Sequence, residues 1–209
     1  GMVGGSYSAY TQWQAAALRP PHLVTITPVV MCPDLCDGVL YQGGALVLSI
    51  ALGWGSAMEG RSAQRAPLRW PDYFRTLPLG EADVRGCGRR LPFWREWLSH
   101  GPGDDFWKPL SAVGAFADWT VPVLCIGGWY DCYAAGVVRA VGQLMRGARS
   151  ARVREGSRLI VGPWPHGVGG TRCGDLDFGP EAALDREALL LRWFDHWLKG
   201  EEAGLLGEL

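Results

Sequence analysis

Three continuous apolar runs, separated by segments of helical pattern, constrain the fold of this chain most. The runs are LVTITPVV at 23–30, PVLCIGGW at 122–129 and SRLIVGPW at 157–164. Runs that are apolar at most positions, rather than at every second residue, are typical of strands buried on both faces of a parallel sheet. A fourth strand is expected to end at Gly4, and helical segments at 7–18 and 133–147 alternate with the strands. The pattern predicts an α/β protein with a mostly parallel, two-faced sheet.

The stretch at 43–108 differs in character from the rest of the chain. It starts with GGALVLSIALGWG, which predicts a helix, and continues with short amphipathic segments dense in Trp, Pro and Arg. We therefore expect a helical insertion at 43–108 that divides the core into 1–42 and 109–200. A final helix is predicted from 181 to 199, ending at Gly200, and 201–209 are expected to begin a linker.

Composition bounds the function. The chain has 209 residues, 48% of them apolar, and a net charge of −1, so it can bury a core but gives no support for a nucleic-acid or membrane partner. There is no 18-residue apolar run. Of the six cysteines, Cys32 and Cys36 lie in CPDLC, a spacing that could hold a metal, but no second Cys or His pair accompanies them. Ordinary thiols are the favoured interpretation, and a metal or redox module stays an alternative.

The opening sequence GMVGGSYSAY places Ser6 between two glycines and a helical segment. A strand–turn–helix elbow lifts such a serine above a sheet and puts the helix N-terminus beneath a developing oxyanion. Taken alone, the motif is better explained by an ordinary turn serine that caps a helix.

The remaining chemistry follows two predicted strands. Asp131 comes just after 122–129, and His166 just after 157–164. Functional groups gather at the carboxyl ends of parallel strands, and the order Ser, Asp, His is the one expected of α/β-hydrolases. The sequence thus predicts a Ser6–Asp131–His166 triad, with Asp175 and Asp177 as alternative acids. Of the other histidines, His22 and His100 are expected in a turn or at a helix end, and His196 on the polar face of the last predicted helix.

Several motifs together resemble the cocaine esterase-like hydrolases, a group related to the X-Pro dipeptidyl-peptidases and α-amino acid ester hydrolases. They are GMVGGSYSAYTQWQAA, YQGGAL with ALGWG, DDFWKPLS, VPVLCIGGWYD, LIVGPWPHG and WFDHWLKGE. The resemblance runs through nearly the whole chain. It implies a partial α/β-hydrolase fold with an inserted helical cap at 43–108.

The resemblance also implies roles for individual residues. Ser6 becomes the nucleophile, Asp131 the orienting acid and His166 the base, while Tyr7 offers its backbone N–H to the oxyanion. Two aromatic residues fall at positions that line the acyl pocket in the family: Trp54 and Tyr133. Core packing explains either aromatic residue as well.

The chain departs from the family pattern in three places. Ala9 stands where the family usually has Gly, and it is small enough to preserve the elbow. The upstream loop whose Tyr hydroxyl supplies the second oxyanion donor is missing, as are the strands before the elbow. The β-sandwich domain that normally follows the last helix is also missing. We therefore expect an internal piece of a longer hydrolase, whose exposed sheet face would favour a homo-oligomer.

The predicted function is a serine hydrolase that cleaves a small-molecule ester through an acyl-enzyme and requires no metal or organic cofactor. A peptidase of the X-Pro dipeptidyl-peptidase type, acting on short peptides, is the first alternative. An inactive piece of a larger hydrolase is the second. The acyl group and the compartment stay open.

Overall fold

The computed structural model describes residues 1–59, 72, 74–202, 204 and 207. The chain forms two compact units, one of Gly1–Gly38 with Pro109–Leu209 and the other of Val39–Lys108. Within the described residues, no helix has the length and apolar character needed to cross a bilayer. The assignment of 43–108 as a cap remains a prediction.

The strands and helices are short, and they are numbered here along the chain. The strands are β1 (Met2–Gly5), β2 (Ile26–Val29), β3 (Tyr41–Gln42), β4 (Ala45–Leu46), β5 (Leu124–Gly128), β6 (Arg158–Gly162), β7 (Arg172–Cys173) and β8 (Leu176–Asp177). The α-helices are α1 (Tyr7–Ala17), α2 (Gly55–Met58), α3 (Ala82–Cys87), α4 (Pro92–Ser99), α5 (Ala134–Gly147), α6 (Ala151–Gly156) and α7 (Arg186–Phe194).

The first unit contains the predicted parallel sheet. Its strands lie in the order β1-β2-β5-β6, and every neighbouring pair is parallel. The α/β prediction is therefore confirmed, although β2 is shorter than the predicted 23–30. Its first predicted residues belong to a turn, in which the Leu23 N–H donates to the Pro20 carbonyl. All four strands end at the same edge of the sheet, which is where the predicted catalytic residues follow.

Apolar packing on both faces of the sheet accounts for the apolar runs of β2 and β5, whose residues are all buried, whereas β6 is half-buried along its length. One cluster joins Val29, Leu124 and Ile126 to the buried Trp164 and Trp193. The helix α5 buries Val137, Val141 and Leu144, as its spacing predicts, whereas Val138 is 40% exposed. Burial of this kind stabilises by about 25 cal/mol for each Å² of apolar surface removed from water.

The second unit corrects one prediction. The sequence GGALVLSIALGWG was expected to be helical throughout, but its start forms the hairpin β3–β4. Gly43 and Gly44 have φ of 59° and 84°, the left-handed pair that a tight two-residue hairpin turn requires. Helical structure begins only with the π-helical turn Ser49–Trp54 and continues into α2. Within the predicted insertion, residues 60–71 and 73 lie outside the described residues.

A buried carboxylate organises the second unit. Asp83 is fully buried in α3, and its two oxygens accept from the guanidinium of Arg95 in α4 at 2.7 and 3.0 Å. Its oxygens also accept from the backbone N–H groups of Val84 and Leu91, each at 2.8 Å. Burial by itself would raise the pKa of Asp83, but these hydrogen bonds outweigh burial and hold the pKa below its usual value. The ion pair thereby fastens α3 to α4.

The last helix begins later than predicted. It was expected from residue 181, but Pro180–Ala182 is a separate 3-10 turn and α7 starts at Arg186. The carboxylate of Asp185 accepts from the Ala188 N–H at 3.0 Å and so caps the helix. The segment after His166 includes the hairpin β7–β8. Gly200, with φ of 76°, ends the helical segment as predicted.

Candidate active site

Ser6 lies in the turn that joins β1 to α1. Its φ of 55° is unusual for a residue with a side chain, and it turns the chain directly from the strand into the helix. The Ser6 N–H donates to the Val29 carbonyl at 2.9 Å, which fixes the turn to β2. Gly4 is needed for close approach, because a Cβ there would lie 2.8 Å from the Cβ of Ser8. The chain therefore has a nucleophile-elbow geometry at Ser6.

A buried amide beneath the elbow was missed by the sequence analysis. Gln12 in α1 is 1% exposed and donates from Nε2 to the carbonyls of Gly4 and Ser8, each at 3.1 Å. Its Oε1 accepts from the Thr27 N–H at 3.0 Å. One side chain thus ties α1 to both β1 and β2 beside Ser6. A polar residue at a buried helical position is the signal that could have identified it.

The structure brings Ser6, His166 and Asp131 into one hydrogen-bonded chain. His166 Nδ1 lies 3.0 Å from Asp131 Oδ2, and His166 Nε2 lies 3.0 Å from Ser6 Oγ. A carboxylate can only accept, so Nδ1 carries the proton, and in the neutral imidazole Nε2 accepts from the serine hydroxyl. The residues follow β1, β5 and β6, which are not all adjacent, so only the assembled sheet brings them together.

The surroundings of the pair favour a basic imidazole. The side chain of Asp131 is 1% exposed, whereas that of His166 is 47% exposed. The hydrogen bond to Asp131 raises the pKa of His166 above its ordinary 6.5, with the negative charge of Asp131 acting in the same direction and burial opposing both. Asp131 Oδ1 accepts from the Tyr133 N–H at 3.0 Å and contacts the Cys132 thiol at 3.4 Å. Both carboxylate oxygens are therefore held.

The loops that carry Asp131 and His166 are joined by their backbones. The Trp129 N–H donates to the Gly162 carbonyl at 2.8 Å, and the Tyr130 N–H donates to the Trp164 carbonyl at 3.0 Å. The Trp164 indole is buried and donates to the Ala182 carbonyl at 2.8 Å, which anchors the histidine loop in the core. The acid and the base are thus set at a fixed separation by hydrogen bonds outside the pair itself.

The other predicted site residues occupy different environments. Tyr7 is 49% exposed and begins α1, so its backbone N–H lies at the helix N-terminus, where the macrodipole favours negative charge. Tyr133 is 6% exposed and lies against His166. Trp54 is half-buried at the end of the π-helical turn of the second unit.

Other histidines and acidic residues that the sequence offered as candidates for the base and the acid have hydrogen-bonding or ionic partners elsewhere. His196 Nδ1 lies 3.0 Å from the Glu201 carbonyl, and His100 Nδ1 lies 3.1 Å from Asp104. Asp177, the alternative acid, pairs with Arg172 at 2.8 Å. In CPDLC, burial raises the pKa of the Cys32 thiol to about 12, which opposes the thiolate that metal binding requires. In the described part of the chain, no three His, Cys, Asp or Glu side chains are grouped to hold a metal ion.

Sequence comparison places these residues in a known context. The family model for X-Pro dipeptidyl-peptidase (S15 family) matches residues 1–168, a span that includes Ser6, Asp131 and His166. The chain is 30% identical to the cocaine esterase of Rhodococcus sp. (strain MB1 Bresler) over 227 residues. That match covers 99% of this chain and 38% of the esterase. The chain thus spans well under half the length of this relative.

Two solved structures share the fold. An aminopeptidase from a marine sediment archaeon, Thaumarchaeota archaeon, superposes with a TM-score of 0.73 at 24% identity, covering 96% of this chain and 35% of that one. An α-amino acid ester hydrolase superposes with a TM-score of 0.69 at 22% identity, covering 94% and 34%. The fold of this chain therefore recurs in larger proteins.

Proposed function

The chain belongs to the X-Pro dipeptidyl-peptidase family S15, and from this premise we propose that it carries the catalytic core of a serine hydrolase that cleaves esters through an acyl-enzyme. The observation that supports the proposal most directly is the chain of two 3.0 Å contacts from Ser6 Oγ through the His166 imidazole to Asp131. A serine hydroxyl is a weak nucleophile until a base removes its proton and a third group orients the base.

In the proposed reaction, Ser6 Oγ attacks the ester carbonyl while His166 Nε2 takes its proton. The imidazolium that forms is stabilised by the buried carboxylate of Asp131. The proton then passes to the leaving alkoxide, and the acyl group remains on Ser6. A water molecule, deprotonated by the same nitrogen, releases the acid and restores the serine. The backbone N–H of Tyr7 and the N-terminus of α1 are proposed to stabilise the oxyanion.

Ester cleavage is preferred because the relative that matches nearly the whole chain is an esterase by name. Peptide cleavage is the second candidate, and the family model supports it. The acyl-pocket role that the resemblance implies for Trp54 stays a prediction. The chain spans 38% of the length of its esterase relative. The ester substrate assigned to the whole protein is therefore proposed together with the mechanism.

Parallel assays of two chromogenic substrates test the proposal. The folded chain is incubated with p-nitrophenyl acetate and with Ala-Pro p-nitroanilide, beside a Ser6→Ala variant whose fold is checked by circular dichroism. We expect ester turnover that the variant lacks, and slower or no cleavage of the anilide. Faster cleavage of the anilide would favour the peptidase. Equal ester turnover by the Ser6→Ala variant would refute the proposed nucleophile.

A further inference from the structure

We propose that Tyr133 is a positioning residue that holds the Asp131–His166 pair in its reactive arrangement, rather than a wall of the substrate pocket. The inference rests on the proposed function of that pair. It departs from the pocket role that the family resemblance implies for this position. Three contacts of Tyr133, made by its N–H, its carbonyl and its ring, carry the inference.

The backbone of Tyr133 ties the acid to a helix. Its N–H donates to Asp131 Oδ1 at 3.0 Å, on the oxygen that does not face the imidazole. Its carbonyl accepts from the Val137 N–H at 2.9 Å, in the first turn of α5. The buried residues of α5, Val137 among them, fix this helix in the core. The orientation of the carboxylate is therefore set by a rigid element rather than by a loop.

The ring of Tyr133 supports the base. Its centroid lies 5.5 Å from the centroid of the His166 imidazole, and the planes meet at 72°, an edge-to-face contact. Because the His166 side chain is 47% exposed, only part of its surface is held by protein contacts, and the tyrosine ring is one of them. The tyrosine ring thus helps to keep the imidazole in the orientation in which Nε2 faces Ser6 Oγ.

Burial makes a pocket role a poor fit. Tyr133 is 6% exposed, whereas Trp129 and Tyr130 in the same turn are 67% and 46% exposed. Burial, together with the nearby Cys132 and Asp131, raises the pKa of the Tyr133 hydroxyl above its usual value. The hydroxyl therefore stays neutral and adds no charge beside the acid.

The test compares Tyr133→Leu, which removes the ring, with Tyr133→Phe, which keeps it. Tyr130→Leu is the matched control, since its ring lies against Phe178 instead. We expect Tyr133→Leu to lower kcat for p-nitrophenyl acetate by roughly 10- to 100-fold, with KM changed by less than about twofold. Tyr133→Phe is expected to retain kcat within about threefold, because the edge-to-face contact survives.

Proton NMR of histidine-labelled protein gives a readout that is independent of turnover. The Nδ1–H of His166, held by Asp131, should give a downfield signal in the wild type, in Tyr133→Phe and in Tyr130→Leu. In Tyr133→Leu it should broaden or disappear while thermal unfolding shows a folded protein. Tyr133→Met, which also lacks the ring but has a flexible side chain that adapts to the space, replaces the Leu variant should that one not fold.

Three results would overturn the inference. They are a raised KM with unchanged kcat in Tyr133→Leu, equal losses in the Leu and Phe variants, and a His166 signal that Tyr133→Leu leaves unaltered. Failure of the proposed function looks different. In that case the wild type turns over neither ester nor anilide, while the NMR comparison still decides whether Tyr133 positions His166.

Discussion

Replacing Gly128 by Ala should displace the loop that carries His166. Gly128 is the last residue of β5, and a Cβ built there would lie 2.6 Å from the Pro165 carbonyl oxygen and closer still to that of Trp164. Ordinary contacts begin at 3.4 Å, so the Pro165 carbonyl must retreat by about 0.8 Å (3.4 − 2.6). Both atoms belong to the backbone, so no side-chain rotation can relieve the overlap.

The shift has two measurable consequences. It breaks the hydrogen bond from the Tyr130 N–H to Trp164, which together with overpacking should cost about 2–4 kcal/mol of the free energy of unfolding. It also moves His166 relative to Ser6 by nearly 1 Å, a misplacement that lowers kcat/KM by about 100-fold.

Gly127→Ala is the matched control for this substitution. A Cβ at Gly127 meets the Val137 side chain at 3.3 Å, which a small movement relieves. Urea denaturation and ester hydrolysis by the two variants measure both effects. If Gly128→Ala hydrolysed ester within threefold of Gly127→Ala, the argument from backbone overlap would be refuted.

Three further predictions concern charges and buried polar groups. Asp131 raises the pKa of His166 above 6.5, and the base must be neutral, so kcat/KM should fall as the pH drops through a midpoint above 6.5. The Asp131→Asn variant should lower the pKa of His166, which an NMR titration measures. It should also reduce kcat by about 10³–10⁴-fold. Gln12→Glu should destabilise the chain by about 3 kcal/mol or more in urea titrations, since a buried carboxylate cannot donate to the two carbonyls that the amide binds. Asp83→Asn should cost about 1–3 kcal/mol at pH 7. Because folding lowers the pKa of Asp83, the stability difference between the wild type and Asp83→Asn should shrink as the pH falls below about 4. A stability difference at pH 3 as large as that at pH 7 would contradict the ion pair with Arg95.

The sheet could be predicted because its signals are local and numerous. Each buried strand is an uninterrupted apolar run, and each is followed by a recognisable turn or helix. Because Asp131 and His166 come directly after two of these runs, the pattern alone predicts that both lie at one edge of the sheet. The hydrogen bonds that join them depend on strand order, and the sequence alone does not specify that order.

Local chemistry that competes with periodicity accounts for the wrong boundaries. At Gly43 and Gly44, two left-handed residues form a hairpin turn where the apolar pattern around them favoured a helix. The last helix starts at its Asp185 cap rather than at residue 181, and an Asp before a helical segment is itself an N-cap signal. Both corrections involve residues whose turn chemistry was readable but was outweighed by the longer pattern.

Gln12 and Gly128 show what local sequence could not supply. The amide of Gln12 is informative only once Gly4, Ser8 and Thr27 surround it. The requirement for glycine at 128 arises from a loop more than thirty residues away in the sequence. Both features depend on contacts between distant segments, which periodicity does not encode.

Labelling with a fluorophosphonate probe, with the adduct mapped by mass spectrometry, tests most directly whether Ser6 is an activated nucleophile. The folded 209-residue chain and its Ser6→Ala and His166→Ala variants are treated side by side. We predict one phosphonylated residue, Ser6, with labelling abolished by the serine substitution and slowed by about 10³-fold or more without the histidine. An adduct on another residue, or a folded wild type that stays unlabelled, would contradict the assignment of the triad within this chain.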